Sequence, residues 1–123
     1  MTRPLLAFVA MAALLLSTAA YAQNAGNGGA VFKQNCSICH DVVPDKNRIG
    51  PSLFGIIGRK TGSEAGFHYS AANKSANLTW DAAILDRYLT SPREVIPGTT
   101  MPFAGLKDEQ KRHDLIAYLA TLH

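Results

Sequence analysis

The sequence predicts an all-α domain, and three observations carry that prediction. Apolar residues recur at helical spacing in two stretches, residues 81–90 and 108–123. No stretch alternates apolar and polar residues as a strand would, and there are no internal repeats or low-complexity segments. The segments in between are punctuated by glycine and proline, which marks loops.

Taken in order, the first twenty-two residues read as a leader rather than as part of the fold. Arg3 supplies a positive start, residues 5–16 are apolar and uncharged, and Ala20-Tyr21-Ala22 is a small-x-small cleavage site before Gln23. The apolar run falls short of the ~20 residues of a comfortable membrane span, and no stop-transfer pattern follows it. An uncleaved anchor is the alternative. The expected division is a cleaved secretory signal peptide over 1–22 and a single domain over 23–123. Taking residues 1–22 from 123 leaves 101, and losing Arg3 lowers the formal charge from +3 to +2. So mild a charge argues against nucleic acid as the main partner. A domain this small sits near marginal stability on its own apolar core.

Residues 24–36 read as a helix with Asn24 as N-cap and Val31 and Phe32 on its apolar face. Glycines 26, 28 and 29 each weaken it by roughly 1 kcal/mol, a cost that close packing of another helix would offset. Residues 41–63 are loop-like, yet Leu53, Phe54, Ile56 and Ile57 are too apolar for a solvated loop. A short helical piece is expected over 70–74. A third helix over 81–90 has Thr79 or Asp81 as cap and is stopped by Pro92. Residues 91–106 read as irregular. The last helix, 108–123, is capped by Asp108, has Glu109 in its first turn, and sets Leu115, Ile116, Leu119 and Leu122 on one face with charges on the other.

Cys36-Ser37-Ile38-Cys39-His40 is the C-x-x-C-H attachment signature of a c-type haem. Each thiol adds to one vinyl group of the porphyrin, and the adjacent neutral imidazole becomes the proximal ligand. Zinc would want two more ligands at regular spacing, but there is no third cysteine, and His68, His113 and His123 are scattered. A dithiol redox pair fits the spacing too, although it leaves His40 unexplained. The Pro51 carbonyl is free to accept the second ring N–H of His40, which would fix its tautomer.

The iron needs a second axial ligand or stays open to small molecules. Met1 and Met11 leave with the leader, so Met101 is the one mature methionine, in a loop between Pro97-Gly98 and Pro102. A thioether favours ferrous iron and raises the potential. A saturated iron passes electrons rather than doing bond chemistry. The rival reading is a peroxidase or gas binder with a labile sixth position, toward which Pro102 is the one hint.

With these residues in place the chain resembles a class I cytochrome c, of the small mitochondrial and bacterial c2 type, over residues 25–122. The resemblance is carried by Cys36 to His40, Gly50-Pro51-Ser52-Leu53, Gly58-Arg59-Lys60-Thr61-Gly62 and Gly66-Phe67-His68-Tyr69. It continues through Ala72-Asn73-Lys74, Thr79-Trp80, Ile96-Pro97-Gly98-Thr99-Thr100-Met101, Phe103-Ala104-Gly105 and Asp114-Leu115-Ile116-Ala117-Tyr118-Leu119. It implies a cytochrome c fold of three main helices with short helical turns and loops around one covalent haem c, held through Cys36 and Cys39. Gly28 and Phe32 would meet Leu115 and Tyr118. To Pro51 at His40 it adds, among cofactor-binding residues, Arg59, Tyr69, Asn73, Trp80 and Thr99 near the propionates or the waters beside them, Tyr88 beside the methionine sulfur, and Phe103 at the exposed haem edge. His40 and Met101 are the metal ligands.

Where mitochondrial members ring the haem edge with lysines, this chain has Asn35, Glu94, Thr100 and Asp108, while Arg93 and Lys107 keep positive charge. A weaker docking field is expected. The loop after His40 is one residue shorter than the mitochondrial one and lacks its histidine. The resemblance thus implies an exported monohaem carrier of single electrons, not an enzyme, a soluble monomer of the periplasm. Its partners would be redox proteins: a bc1-type donor, an oxidase, a photosynthetic reaction centre or a periplasmic dehydrogenase. No nucleic acid and no stable membrane insertion are expected.

Overall fold

The computed structural model describes residues 22–123. The leader expected over 1–22 lies, but for Ala22, outside the described residues. Five helices follow in order: α1 (Ala25–Asn35), α2 (Ala71–Ser75), α3 (Ala82–Thr90), α4 (Pro92–Val95) and α5 (Glu109–Ala120). Four of them start on the same device. A short polar side chain just before the helix accepts a backbone N–H that would otherwise be unpaired: Asn24 from Asn27, Ser70 from Asn73, Asp81 from Ile84 and Asp108 from Lys111. Each such cap stabilises its helix by about 1 kcal/mol.

The sequence placed these elements to within three residues, with two corrections. Pro92 does not simply stop α3; it opens the separate short helix α4, because its fixed φ and missing N–H suit a first helical position. The polar residues of α5 are not all on the solvent side either. Arg112 and Asp114 are buried with Leu115, Ile116 and Leu119. The Arg112 guanidinium pairs with Asp86 at 2.8 Å and donates to the carbonyls of Leu106 and Lys107, so its charge is answered inside the fold.

The framework is the crossing of α1 over α5. Phe32 packs on Tyr118 with ring centroids 5.7 Å apart, and Val31, Leu115, Ile116 and Leu119 complete the buried seam. The crossing is close because Gly28 has no side chain. A Cβ there would stand 1.9 Å from the carbonyl oxygen of Asp114 and 2.7 Å from the Tyr118 Cβ. A Cβ on Gly29 would meet the Tyr118 ring at an ordinary 3.5 Å. Further on, Thr61 N–H donates to Leu78 O and Trp80 N–H to Arg59 O, so the loop before α2 is sewn to the segment that leads into α3. Between α1, this loop, α3 and α5 lies a cavity, described below. No helix among the described residues is long and apolar enough to cross a membrane.

The two glycines should respond in opposite directions to alanine. Alanine adds about 1 kcal/mol of helix propensity at either position. At Gly28 the overlap with backbone reverses the sign, and Gly28→Ala should destabilise the protein by about 1–3 kcal/mol. Gly29→Ala should be neutral or stabilising by up to about 1 kcal/mol. Denaturant unfolding of the two variants checks this.

Candidate functional site

The C-x-x-C-H segment leaves α1 in a turn: the N–H of Cys36 donates to Phe32 O at 2.8 Å, and that of His40 to Cys36 O at 2.9 Å. The chain then returns beside it. Gly50 N–H donates to Cys39 O, and the Arg48 guanidinium to Ser37 O. That return brings the Pro51 carbonyl 2.8 Å from His40 Nδ1. A carbonyl can only accept, so Nδ1 carries the proton and Nε2 keeps its lone pair. Burial pushes the His40 pKa down, and the Pro51 bond only partly opposes it. The imidazole is therefore neutral, as a metal ligand must be. Gly50 makes room for the ring: a Cβ there would lie 2.3 Å from Cε1 and 2.8 Å from Nε2.

Cys36 and Cys39 are half-buried and not joined to each other. Burial, reinforced by the neighbouring Cys39, pushes the Cys36 thiol up to about 11. A dithiol redox catalyst needs its attacking thiol shifted the other way, so Cys36 is poorly suited to that role.

Met101 comes from the loop between α4 and α5. Its N–H donates to Thr99 Oγ1, and its sulfur lies 3.4 Å from the Tyr88 hydroxyl, which also meets Thr99 Oγ1 at 3.4 Å. Burial raises the Tyr88 pKa, the Thr99 bond offsetting it in part, so the hydroxyl keeps the proton it donates. Tyr88 is held edge-on to Trp80 at 4.8 Å. The far end of the loop is pinned to α3. Leu106 N–H donates to Leu89 O, Lys107 Nζ to Thr90 O, and Gly105, at φ +119, lets Thr90 O approach where a Cβ would be 2.1 Å away.

The remaining expected residues form a polar corner. Tyr69 accepts the Glu64 N–H, and burial raises its pKa. Arg59 lies 3.2 Å from Glu64 and donates to the carbonyls of Ser52 and Phe54. Most of its guanidinium is thus occupied in closing the 52–64 loop, a role that sequence reasoning did not foresee. Asn73 Oδ1 is buried and has no partner among the described residues.

All twelve expected residues line the one cavity: Cys36, Cys39, His40 and Pro51 from the motif side, Arg59, Tyr69, Asn73 and Trp80 from the polar corner, Tyr88, Thr99, Met101 and Phe103 from the α3 and loop side. Leu85, Leu89, Leu115 and Leu119 add apolar wall. These residues fit a haem. The wall suits a flat apolar ring, and the unpartnered end of Asn73, an amide whose O and N ends interchange by rotation, can present an N–H to a carboxylate.

A family model described as cytochrome c matches residues 25–123. The chain belongs to the cytochrome c family. It is 53% identical over 116 residues to cytochrome c2 of Rhodomicrobium vannielii, covering 91% of this chain and 90% of that one. It is 50% identical over 101 residues to cytochrome c2 of Blastochloris viridis, covering 81% and 79%. Among solved structures, cytochrome cH from Methylobacterium extorquens superposes with a TM-score of 0.74 at 41% identity, covering 80% of this chain and 98% of that one. The fold is therefore the all-α cytochrome c fold, and the chain is a monohaem c-type cytochrome of electron transfer, not an enzyme. Its one haem c is covalent, through Cys36 and Cys39.

Beyond Arg59, two site features escaped the residue-by-residue reading. Gly50 entered only as a loop glycine and as part of a resembling run, although a glycine before Pro51 signals close approach. Arg112 stands at helical spacing from Leu115, Ile116 and Leu119, a pattern that would have flagged it as facing inward. Because of the Gly50 contact, Gly50→Ala should displace the His40 ring and cost about 1–3 kcal/mol. A lower unfolding midpoint, together with less Soret absorbance per unit of purified protein, is the expected result.

Proposed function

We propose that this chain carries single electrons through a haem iron ligated by His40 and Met101. The observation that supports it is the presence, in one cavity with both cysteines, of a neutral imidazole held by Pro51 and a methionine sulfur held by Tyr88. Bound there, haem c supplies a one-electron ferric/ferrous couple, with His/Met ligation raising the potential. The chain's residues do the rest. Pro51 orients His40 and raises its basicity. The Tyr88 hydroxyl draws electron density from the sulfur. Leucines from α3 and α5 keep water from the ring, and Tyr69, Asn73 and Trp80 supply hydrogen-bonding groups at the polar corner.

Electrons would leave at the cavity mouth, where Ile38 and Ile49 are 74% and 71% exposed and Thr100 and Pro102 are also exposed. The pairings of Arg48 with Ser37 and of Gly50 with Cys39 set Ile38 and Ile49 side by side. Ile38, Ile49 and Pro102 make this rim largely apolar, with Arg48 the charge beside it, so docking of a redox partner there rests on apolar contact more than on charge. The processed form begins at Gln23, after a signal peptide over 1–22, and works as a monomer in the periplasm.

Met101→Ala should abolish the weak long-wavelength ferric band of an iron–methionine bond. It should also lower the potential by roughly 0.2–0.4 V, within the ~0.8 V range that axial ligation spans. An optical potentiometric titration reads both, and an unchanged band would remove Met101 as ligand. With a purified oxidase or bc1-type complex as partner, the second-order rate should change less than about threefold between 50 and 200 mM salt. A steep fall would assign docking to charge instead.

A further inference from the structure

Asp114 is a charged group that the electron-transfer site does not use. It lies at the α1–α5 crossing, is only 5% exposed, and enters none of the ion pairs among the described residues. Its Oδ1 takes two neutral donors, the Asn24 N–H at 2.9 Å and the Gln110 side-chain amide at 2.8 Å. Neutral donors alone leave a buried carboxylate without a counter-charge. The Gln110 amide also reaches back to the carbonyl of Ala22 at 2.8 Å, so one side-chain nitrogen bridges the Ala22–Gln23 peptide and this carboxylate.

We propose that the chain has a built site for its own processed amino terminus: the Gln23 α-ammonium, formed by cleavage after Ala22, becomes the counter-ion of Asp114. This rests on the processing reading given above. Covalent geometry keeps the Gln23 nitrogen within about 3.7 Å of the Asn24 nitrogen. The latter already touches Oδ1, so the new charge arises within about 6.6 Å of the carboxylate and has a free terminal torsion with which to approach. Hydrolysis of the Ala22–Gln23 bond turns an amide nitrogen with one N–H into an ammonium with three. Gln110 loses the Ala22 carbonyl and keeps Asp114. The pair then braces the start of α1 against α5, beside the Gly28 contact on which the crossing depends. The same terminus can be neutralised by Gln23 itself. Attack of its free amine on its own side-chain carbonyl closes a lactam and expels ammonia, which removes the cation while leaving the Asn24 N–H in place.

The experiment compares haem-bearing protein that starts at Gln23 with the same protein after that cyclisation, in the native sequence and in Asp114→Asn. The thermal midpoint of the cyclised native protein should fall by about 4 °C, and Asp114→Asn should abolish the difference. Equal midpoints in the native sequence, or the same gap in Asp114→Asn, would leave Asp114 a plain acceptor for Asn24 and Gln110 and overturn the proposal. Should Asp114→Asn fail to accumulate, the native gap should shrink in 1 M salt, and a gap indifferent to salt would count against the pair. An exported protein whose mass does not begin at Gln23 would instead overturn the processing reading beneath it, whatever the midpoints.

Discussion

One hydrogen bond, from His40 Nδ1–H to the Pro51 carbonyl, decides what this molecule can do. It selects the tautomer that leaves Nε2 able to bind a metal, and it fixes the plane of the ring. It also ties the turn after α1 to the loop that walls the cavity. The bond exists because the chain after His40 doubles back through Gly50, where any side chain would strike the imidazole. Motif and loop are therefore one unit, although they are separate in the sequence.

The other half of the site is built from a segment with little regular structure of its own. The Met101 loop owes its position to anchors at both ends. Thr99 and Tyr88 hold the methionine, and α3 holds Leu106 and Gly105 through backbone contact. Arg112 extends the second anchor into α5, since its guanidinium grips the carbonyls of Leu106 and Lys107 while it pairs with Asp86. The loop is thereby linked to α5, and through the Gly28 crossing to α1. The helix that leads into the cysteines and the loop that carries the thioether are braced by the same packed pair.

Much of this could be read in the sequence because its determinants are local. Asn24, Ser70, Asp81 and Asp108 each precede a helical pattern and each accept a backbone N–H, so the helix starts were legible. The C-x-x-C-H run and the late methionine named the haem chemistry before any geometry was known. What stayed hidden depends on contacts between distant segments. The inward turn of Arg112 is answered by Asp86 from another helix, and Arg59 spends its donors on carbonyls that only the folded loop brings together. The exposure of Ile38 and Ile49 was invisible as well, because a hydrophobic residue in a sequence gives no sign that it lies on the surface.

The account stands on a thioether and an imidazole sharing one iron. X-ray absorption at the iron edge of the oxidised protein measures that directly. It should resolve one sulfur neighbour among nitrogens, and the sulfur signal should vanish in Met101→Ala. A shell of nitrogen and oxygen alone in the native protein would contradict the account.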